Sequence, residues 1–275
     1  MNLPELYVES GVSIRKDTAE MLKKYFKLLE VKEYCNVMDV GCGPGNVTHD
    51  LLYPLFPKTI NELVAVDISP KMIQYARKTY SANSKIKFTQ MDILTDSIPN
   101  NYYSRFDHIT SFYCLHFIND QRKAFSNMFN MLKPGGNLLL SCVSDCIFYD
   151  IYKSMAEDAK WKIYCKNVKN AIPPTHFLHD VQTYFENQLK EARFEVHLCL
   201  VENKLLSFNK KIFAGMVLSV SLFNIPKSLE EEFVEYHLEY INKKNFYRPT
   251  EDTDMCIYVP HTLLKVFAKK SSFVL

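Results

Sequence analysis

Three of the chain's seven glycines alternate through one stretch, Asp39-Val40-Gly41-Cys42-Gly43-Pro44-Gly45-Asn46. Glycine is the residue for a backbone that must turn at positive φ or lie close against a ligand. An apolar run, Val37 to Val40, enters the turn, and a helix-compatible stretch leaves it. A strand, a glycine turn and a helix in that order make a nucleotide cradle, because free N–H groups at the helix start face the crevice. Acids then recur where apolar runs end. Asp67 follows Glu62 to Val66, roughly 20 residues beyond the turn, where a mononucleotide unit carries its ribose-binding carboxylate. Asp92-Ile93 follows Ile86 to Met91 and can hydrogen-bond an amino group while covering one face of a purine. His116 stands just past Phe106 to Phe112, at a carboxyl end of the kind that borders ligands in open parallel sheets.

The turn lacks the Gly-Lys-Ser/Thr of a phosphate-binding P-loop. Its glycines fall at every second residue and Pro44 intrudes, so it is a poor dinucleotide fingerprint. Asp39 just before it suits a ligand that brings its own cation. A sulfonium with an α-amino group is such a ligand, and a pyrophosphate is not.

The elements that must hold these residues follow from hydrophobic period. Strands are expected at 36–40, 62–66, 86–91, 106–112 and 137–143, with helices between them at 46–52, from Pro70, and after Asp120. Ser69-Pro70 is a helix start, and Lys133-Pro134-Gly135-Gly136 is a stop. Such alternation predicts a doubly wound parallel α/β sheet. An amphipathic helix is expected at 13–29, whose start carries Arg15. Beyond 143 the pattern loosens: helices at 146–162, 180–193, 210–223 and 228–241, the last with a Ser228/Glu231 capping box, and strands at 194–200 and 261–268.

A net charge of +2 with no long Lys/Arg run gives no nucleic-acid stripe, so no nucleic-acid partner is expected. The longest apolar stretch, Ile212 to Ile225, is interrupted by Ser219, Ser221 and Asn224 and is too short to span a bilayer. No secretory leader is read at Met1 to Gly11, and the eight cysteines include no Cys-x-x-Cys pair, so free thiols in a cytoplasmic protein without a metal are expected.

Asp39-x-Gly41-x-Gly43-x-Gly45, Asp67-Ile68-Ser69, Asp92-Ile93 and Lys133-Pro134-Gly135-Gly136 together resemble the class I S-adenosylmethionine-dependent methyltransferases. That resemblance implies a Rossmann-like seven-stranded sheet whose last strand is antiparallel, with S-adenosyl-L-methionine as cofactor. It implies Asp39 and Gly41 near the methionine part, Asp67 on the ribose, and Asp92 and Ile93 around the adenine. Gly43, Gly45, Ile68, Met72 and Ser111 complete the expected cofactor set. The chain is then one domain over 1–275, with a cofactor core at 30–145 and helical insertions at 145–180 and 203–250 covering the active site.

Met1-Asn2, Leu6-Tyr7, Arg15-Lys16-Asp17, Phe106-Asp107-His108, Ser111 to His116, Asn224-Ile225-Pro226 and Val266 to Lys270 are similar to the insect juvenile hormone acid O-methyltransferases. This resemblance implies esterification of the carboxylate of an isoprenoid acid, farnesoic acid or juvenile hormone acid. The alternatives are another small carboxylate acceptor or a ligand-binding relative without turnover. A carboxylate acceptor needs orienting donors rather than a base, and His116, Asn119, Arg15, Tyr113 and the neighbouring Phe117 are the candidates. Where the family carries Gln and Trp, this chain has Ile14 and Phe117. The expectation from sequence is that Phe117→Trp, and further Ile14→Gln, would raise kcat/KM on farnesoic acid; the competing view is that Ile14 and Phe117 shape the pocket for a different acid, so that both substitutions lower activity on the native substrate by overpacking.

Overall fold

The computed structural model describes residues 3–249 and 255–272. Met1-Asn2 of the resemblance and position 250 of the second insertion lie outside the described residues. Five strands come first: Asn36–Val40 (β1), Glu62–Asp67 (β2), Ile86–Gln90 (β3), Phe106–Phe112 (β4) and Leu132–Cys146 (β5). Phe194–Phe208 (β6), Tyr247–Pro249 (β7) and Met255–Lys270 (β8) follow. The order is β3-β2-β1-β4-β5-β8-β6, with β7 on β8. The pairs from β3 to β5 are parallel, and β8 runs antiparallel to both β5 and β6. The seven expected strands and the antiparallel last strand are present, and β7 is a short eighth.

Side chains alternate between two cores, as the strand period of two requires. Met38, Val40, Val64 and Val66 pack under Gln121–Met131 (α4) and Val181–Glu191 (α7). Val37, Leu63 and Ala65 pack under Val12–Tyr25 (α2) and Pro70–Thr79 (α3). A third core gathers Ile147–Glu157 (α5), Lys210–Val220 (α8) and Glu230–Lys243 (α9) around the far ends of β5 and β8. Ser69, Asp120, Asp180 and Asn209 cap α3, α4, α7 and α8 through their side chains.

Several boundaries differ from the sequence expectation. A separate helix, Pro4–Ser10 (α1), precedes α2 and crosses α8 at Gly215, where an added Cβ would meet Ser10 and Leu6. The helix expected at 46–52 is present, α-helical at 46–47 and wider over Thr48–Leu52, with Tyr53 N–H bonding back five residues to Thr48 O. β5 begins at Leu132, because Leu132 pairs with Phe106 and residues 133–136 bulge before Asn137 rejoins at His108. β6 runs on to Phe208 and β8 starts at Met255, each protecting the other's backbone out to Phe208 opposite Ile257. Polar Glu202, Asn203 and Lys204 hide that continuation. α5 stops at Glu157, short of 162. The Ser228/Glu231 box does not form, because Lys227–Leu229 makes a tight turn and Leu229 takes the cap position. Among the described residues no helix is long and apolar enough to cross a membrane.

Candidate active site

The glycine turn joins β1 to the wide helical turn, with Gly41, Gly43 and Gly45 at φ 76°, 54° and 84°. Each requirement is different. At Gly41 a Cβ would overlap Cys114, at Gly45 it would press on the Phe88 ring and Ala76, and at Gly43 it would meet nothing. The open side of Gly43 is a cavity of 430 Å³ outside the carboxyl ends of β1, β2 and β4. That volume lies within the range of small-molecule sites, about 300–1,000 Å³.

Two buried carboxylates border this cavity. Asp39 accepts Thr48 Oγ1 at 2.6 Å and Thr110 Oγ1 at 2.8 Å. Burial nevertheless pushes its carboxyl up to about 6. Asp67 accepts the Gly43 N–H at 2.9 Å and the Ser69 N–H at 2.8 Å, and burial raises its carboxyl against those two bonds. The Asp92 carboxylate accepts the Leu94 N–H at 2.8 Å, and Asn127 Nδ2 donates to Ile93 O at 2.6 Å, so the chain after β3 is fixed at the cavity wall. Ile68, exposed at the rim, and buried Met72 complete that side.

Beyond the cavity lies an apolar chamber of 80 Å³ among Phe148, Tyr149, Tyr152, Phe208, Met216 and Val259. Ile14, Tyr113, Phe117 and Leu222 line both spaces and form the wall between them. His116 lines the chamber, and its ring packs on Phe117 at 4.1 Å. His116 Nδ1 accepts the Val143 N–H at 3.4 Å, which leaves the ring proton on Nε2. Burial pulls the imidazole down to about 3, so it is neutral at physiological pH. Tyr113, at φ 53°, donates its hydroxyl to Asp17 at 2.7 Å. Burial opposes the Asp17 charge, but His261, Lys204 and Tyr113 hold the carboxyl below the usual carboxylate range.

Not every expected residue reaches these spaces. Arg15 turns away to Asp50, Nη1 to Oδ2 3.0 Å, because it sits about 100° round α2 from Ile14. Ser111 does not line the cofactor cavity; it is buried and donates to Val40 O at 2.9 Å, tying β4 to β1. Gly45 also stands off the cavity and serves packing against Phe88. Asn119 is at the mouth, exposed, with Nδ2 3.4 Å from Asn170 Oδ1. Sequence reasoning gave no site role to Tyr7, Thr18 and Asn170, which line the cavity, or to His261, which lines the chamber. Burial, with Asp67 nearby, raises the Tyr7 phenol to about 12. The one local signal was the helical spacing Ile14, Asp17, Thr18, Met21 on α2.

Residues 31–253 match the family described as "Methyltransferase domain". The chain is similar to juvenile hormone acid O-methyltransferase of Drosophila melanogaster, 29% identical with 98% of this chain and 93% of that protein covered. It is 30% identical to the protein of the same name from Bombyx mori, over 88% of this chain and 87% of that one. Among solved structures it resembles a Bacillus halodurans putative methyltransferase, TM-score 0.58 and 18% identity over 91% and 98% of the two chains. It also resembles a Haemonchus contortus phosphoethanolamine N-methyltransferase 2 solved in complex with S-adenosyl-L-methionine, TM-score 0.51 and 17% identity over 88% of this chain and 50% of that one. With the glycine turn, the two buried carboxylates and the open side of Gly43 already described, the chain belongs to the class I S-adenosylmethionine-dependent methyltransferases, takes S-adenosylmethionine as its cofactor, and is related over nearly its whole length to the juvenile hormone acid O-methyltransferases.

Proposed function

We propose that this chain is a cytoplasmic carboxyl O-methyltransferase that esterifies a long isoprenoid acid of the farnesoic or juvenile hormone acid type. The observation that carries this reading is the shared wall of Ile14, Tyr113, Phe117 and Leu222, where a cofactor cavity with a partly polar lining meets an almost wholly apolar chamber. The names of the relatives from Drosophila melanogaster and Bombyx mori point the same way.

S-adenosylmethionine supplies a sulfonium methyl group, whose C–S bond breaks with the electron pair left on sulfur as the acceptor oxygen forms its bond to carbon. Asp39 would hold the ammonium of the methionine part, with the Gly41–Pro44 backbone beside it in the cavity wall. Asp67, already fixed by two backbone N–H groups, keeps lone pairs for the ribose hydroxyls. Asp92 and Ile93, with Ile68 and Met72, hold the adenine.

A carboxylic acid has a reference pKa of about 4.3 and is ionised at neutral pH, so no base is needed. Neutral His116 orients one carboxylate oxygen through its Nε2–H without the positive charge that would blunt the nucleophile. Phe117 and Ile14 exclude water from the reacting oxygen. Helices from 145–180 and 203–250 cover the tail. A volume of 80 Å³ admits only a few carbons, so a longer tail displaces Leu222, 40% exposed, which also borders an outer cavity of 240 Å³ with Phe223, Ile225 and Phe233.

The test is transfer of labelled methyl from S-adenosylmethionine to farnesoic acid, farnesol, and a short-chain acid. The expected result is ester from farnesoic acid at far higher kcat/KM than from the short acid, and nothing from farnesol. Equal transfer to the short acid, or transfer only to the alcohol, contradicts the reading.

A further inference from the structure

We propose that His261, backed by Asp17, is the residue that grips the acceptor's carboxylate, a role that rests on the acid-methylating reading above. His261 is on β8, with Cys146 of β5 opposite it on one side and Lys204 of β6 on the other. It is 5% exposed, and both of its ring nitrogens are without a hydrogen-bond partner among the described residues. Nε2 stops 3.8 Å from Asp17 Oδ2, beyond hydrogen-bond reach. A buried ring nitrogen left unpaired is costly unless a ligand completes it.

The ring lines the apolar chamber. Two other polar groups of that chamber have partners: the Tyr113 hydroxyl donates to Asp17, and His116 Nδ1 accepts from Val143. Asp17 cannot swing away, because Tyr113 holds Oδ2 and Lys204 Nζ holds Oδ1 at 2.7 Å. The Asp17–Tyr113 bond also puts the pair next to the shared wall, since Tyr113 belongs to it and Ile14 is one helical turn before Asp17.

With Asp17 on the Nε2 side, Nδ1 is the ring nitrogen left to donate to an acid's carboxylate. It holds one carboxylate oxygen and leaves the second free for His116 and the methyl. This grip takes the place of the Gln and Trp that Ile14 and Phe117 replace.

The experiment measures binding of farnesoic acid and of farnesol, which has the same tail without the carboxylate, to the protein saturated with S-adenosylhomocysteine. His261→Ala is expected to weaken the acid about ten- to hundredfold, the value of a hydrogen bond to a charged group, and to leave farnesol unchanged. His261→Gln, which keeps one donor, should recover part of the loss. Equal loss of acid and alcohol in His261→Ala, or acid binding that ignores the substitution, overturns the assignment of His261 alone. A wild-type protein that binds S-adenosylhomocysteine but not the acid overturns the acid-methylating reading and this assignment together.

Discussion

The Asp67 carboxylate accepts the Gly43 N–H at 2.9 Å, so the end of β2 and the crest of the glycine turn are one unit. Its other oxygen takes the Ser69 N–H at the start of α3. Asp67→Ala therefore loosens the turn and removes the proposed ribose acceptor at once. Isothermal titration should show S-adenosylmethionine binding weakened about hundredfold, as two lost charge-assisted bonds imply. A folded Asp67→Ala protein with wild-type affinity would contradict the placement.

Gly41→Ala and Gly43→Ala should fail in different ways. The first puts a Cβ onto Cys114 at a φ of 76°, and neither backbone can give way. Its melting temperature should drop steeply, with a cost above about 3 kcal/mol. The second adds a methyl to open space at a cost of about 1–2 kcal/mol for the left-handed backbone. It should stay folded yet lose cofactor affinity, because the methyl enters the cavity. Thermal melts with and without S-adenosylhomocysteine separate the two; equal behaviour would contradict the assignment.

Asp39 gives a pH dependence with a definite sign. Its carboxyl titrates near about 6 in the folded protein because of burial, above the ordinary value of about 3.9. The folded state thus holds the proton more tightly than the unfolded state. The stabilisation is complete below about pH 4 and is lost as pH rises through about 6, leaving neutral apo-protein less stable by about 3 kcal/mol. A bound ammonium reverses this by favouring the carboxylate. Cofactor binding at about pH 5.5 should release a proton, visible as titration heats that depend on the buffer, and at about pH 7.5 the release should vanish. Asp39→Asn should abolish Asp39's share, and what remains belongs to Asp67. No buffer dependence in the wild type would place the ammonium elsewhere.

Of the two outcomes held open from sequence for Phe117→Trp, the packing favours loss by overpacking. The ring of Phe117 packs on His116 at 4.1 Å beside a chamber of only 80 Å³. An indole overfills that space, with a strain of about 1–3 kcal/mol. With His261 and His116 supplying donors, the added N–H gains little. Steady-state kinetics on farnesoic acid should show kcat/KM down about tenfold for Phe117→Trp and no rescue by Ile14→Gln. A gain in either variant would restore the reading in which those positions hold the carboxylate.

The cofactor half of the site was legible because its signals are local. Gly41, Gly43, Asp67 and Asp92 each sit within a few residues of a strand end, and a strand–turn–helix pattern carries its own geometry. The acceptor half was only partly so: Ile14, Tyr113, His116 and Phe117 line the chamber, but the Asp17 cluster behind them is assembled across the chain. Tyr113 meets Asp17 from 96 positions away, and Lys204 meets it from 187. Arg15 shows the limit on one helix: a charged residue one position from Ile14 is turned to Asp50 and away from the chamber. β6 and β8 ran longer than expected because each is sustained by the other's backbone, which hydrophobic period does not record.

Carboxyl methylation of a long isoprenoid acid is tested most directly by mass spectrometry of the product formed from farnesoic acid and S-adenosylmethionine bearing a trideuterated methyl group. The expected product is methyl farnesoate carrying all three deuterons on the ester methyl, formed in equal amount with S-adenosylhomocysteine. No ester from farnesoic acid or any other long-chain acid, by a protein that binds S-adenosylmethionine, would contradict it.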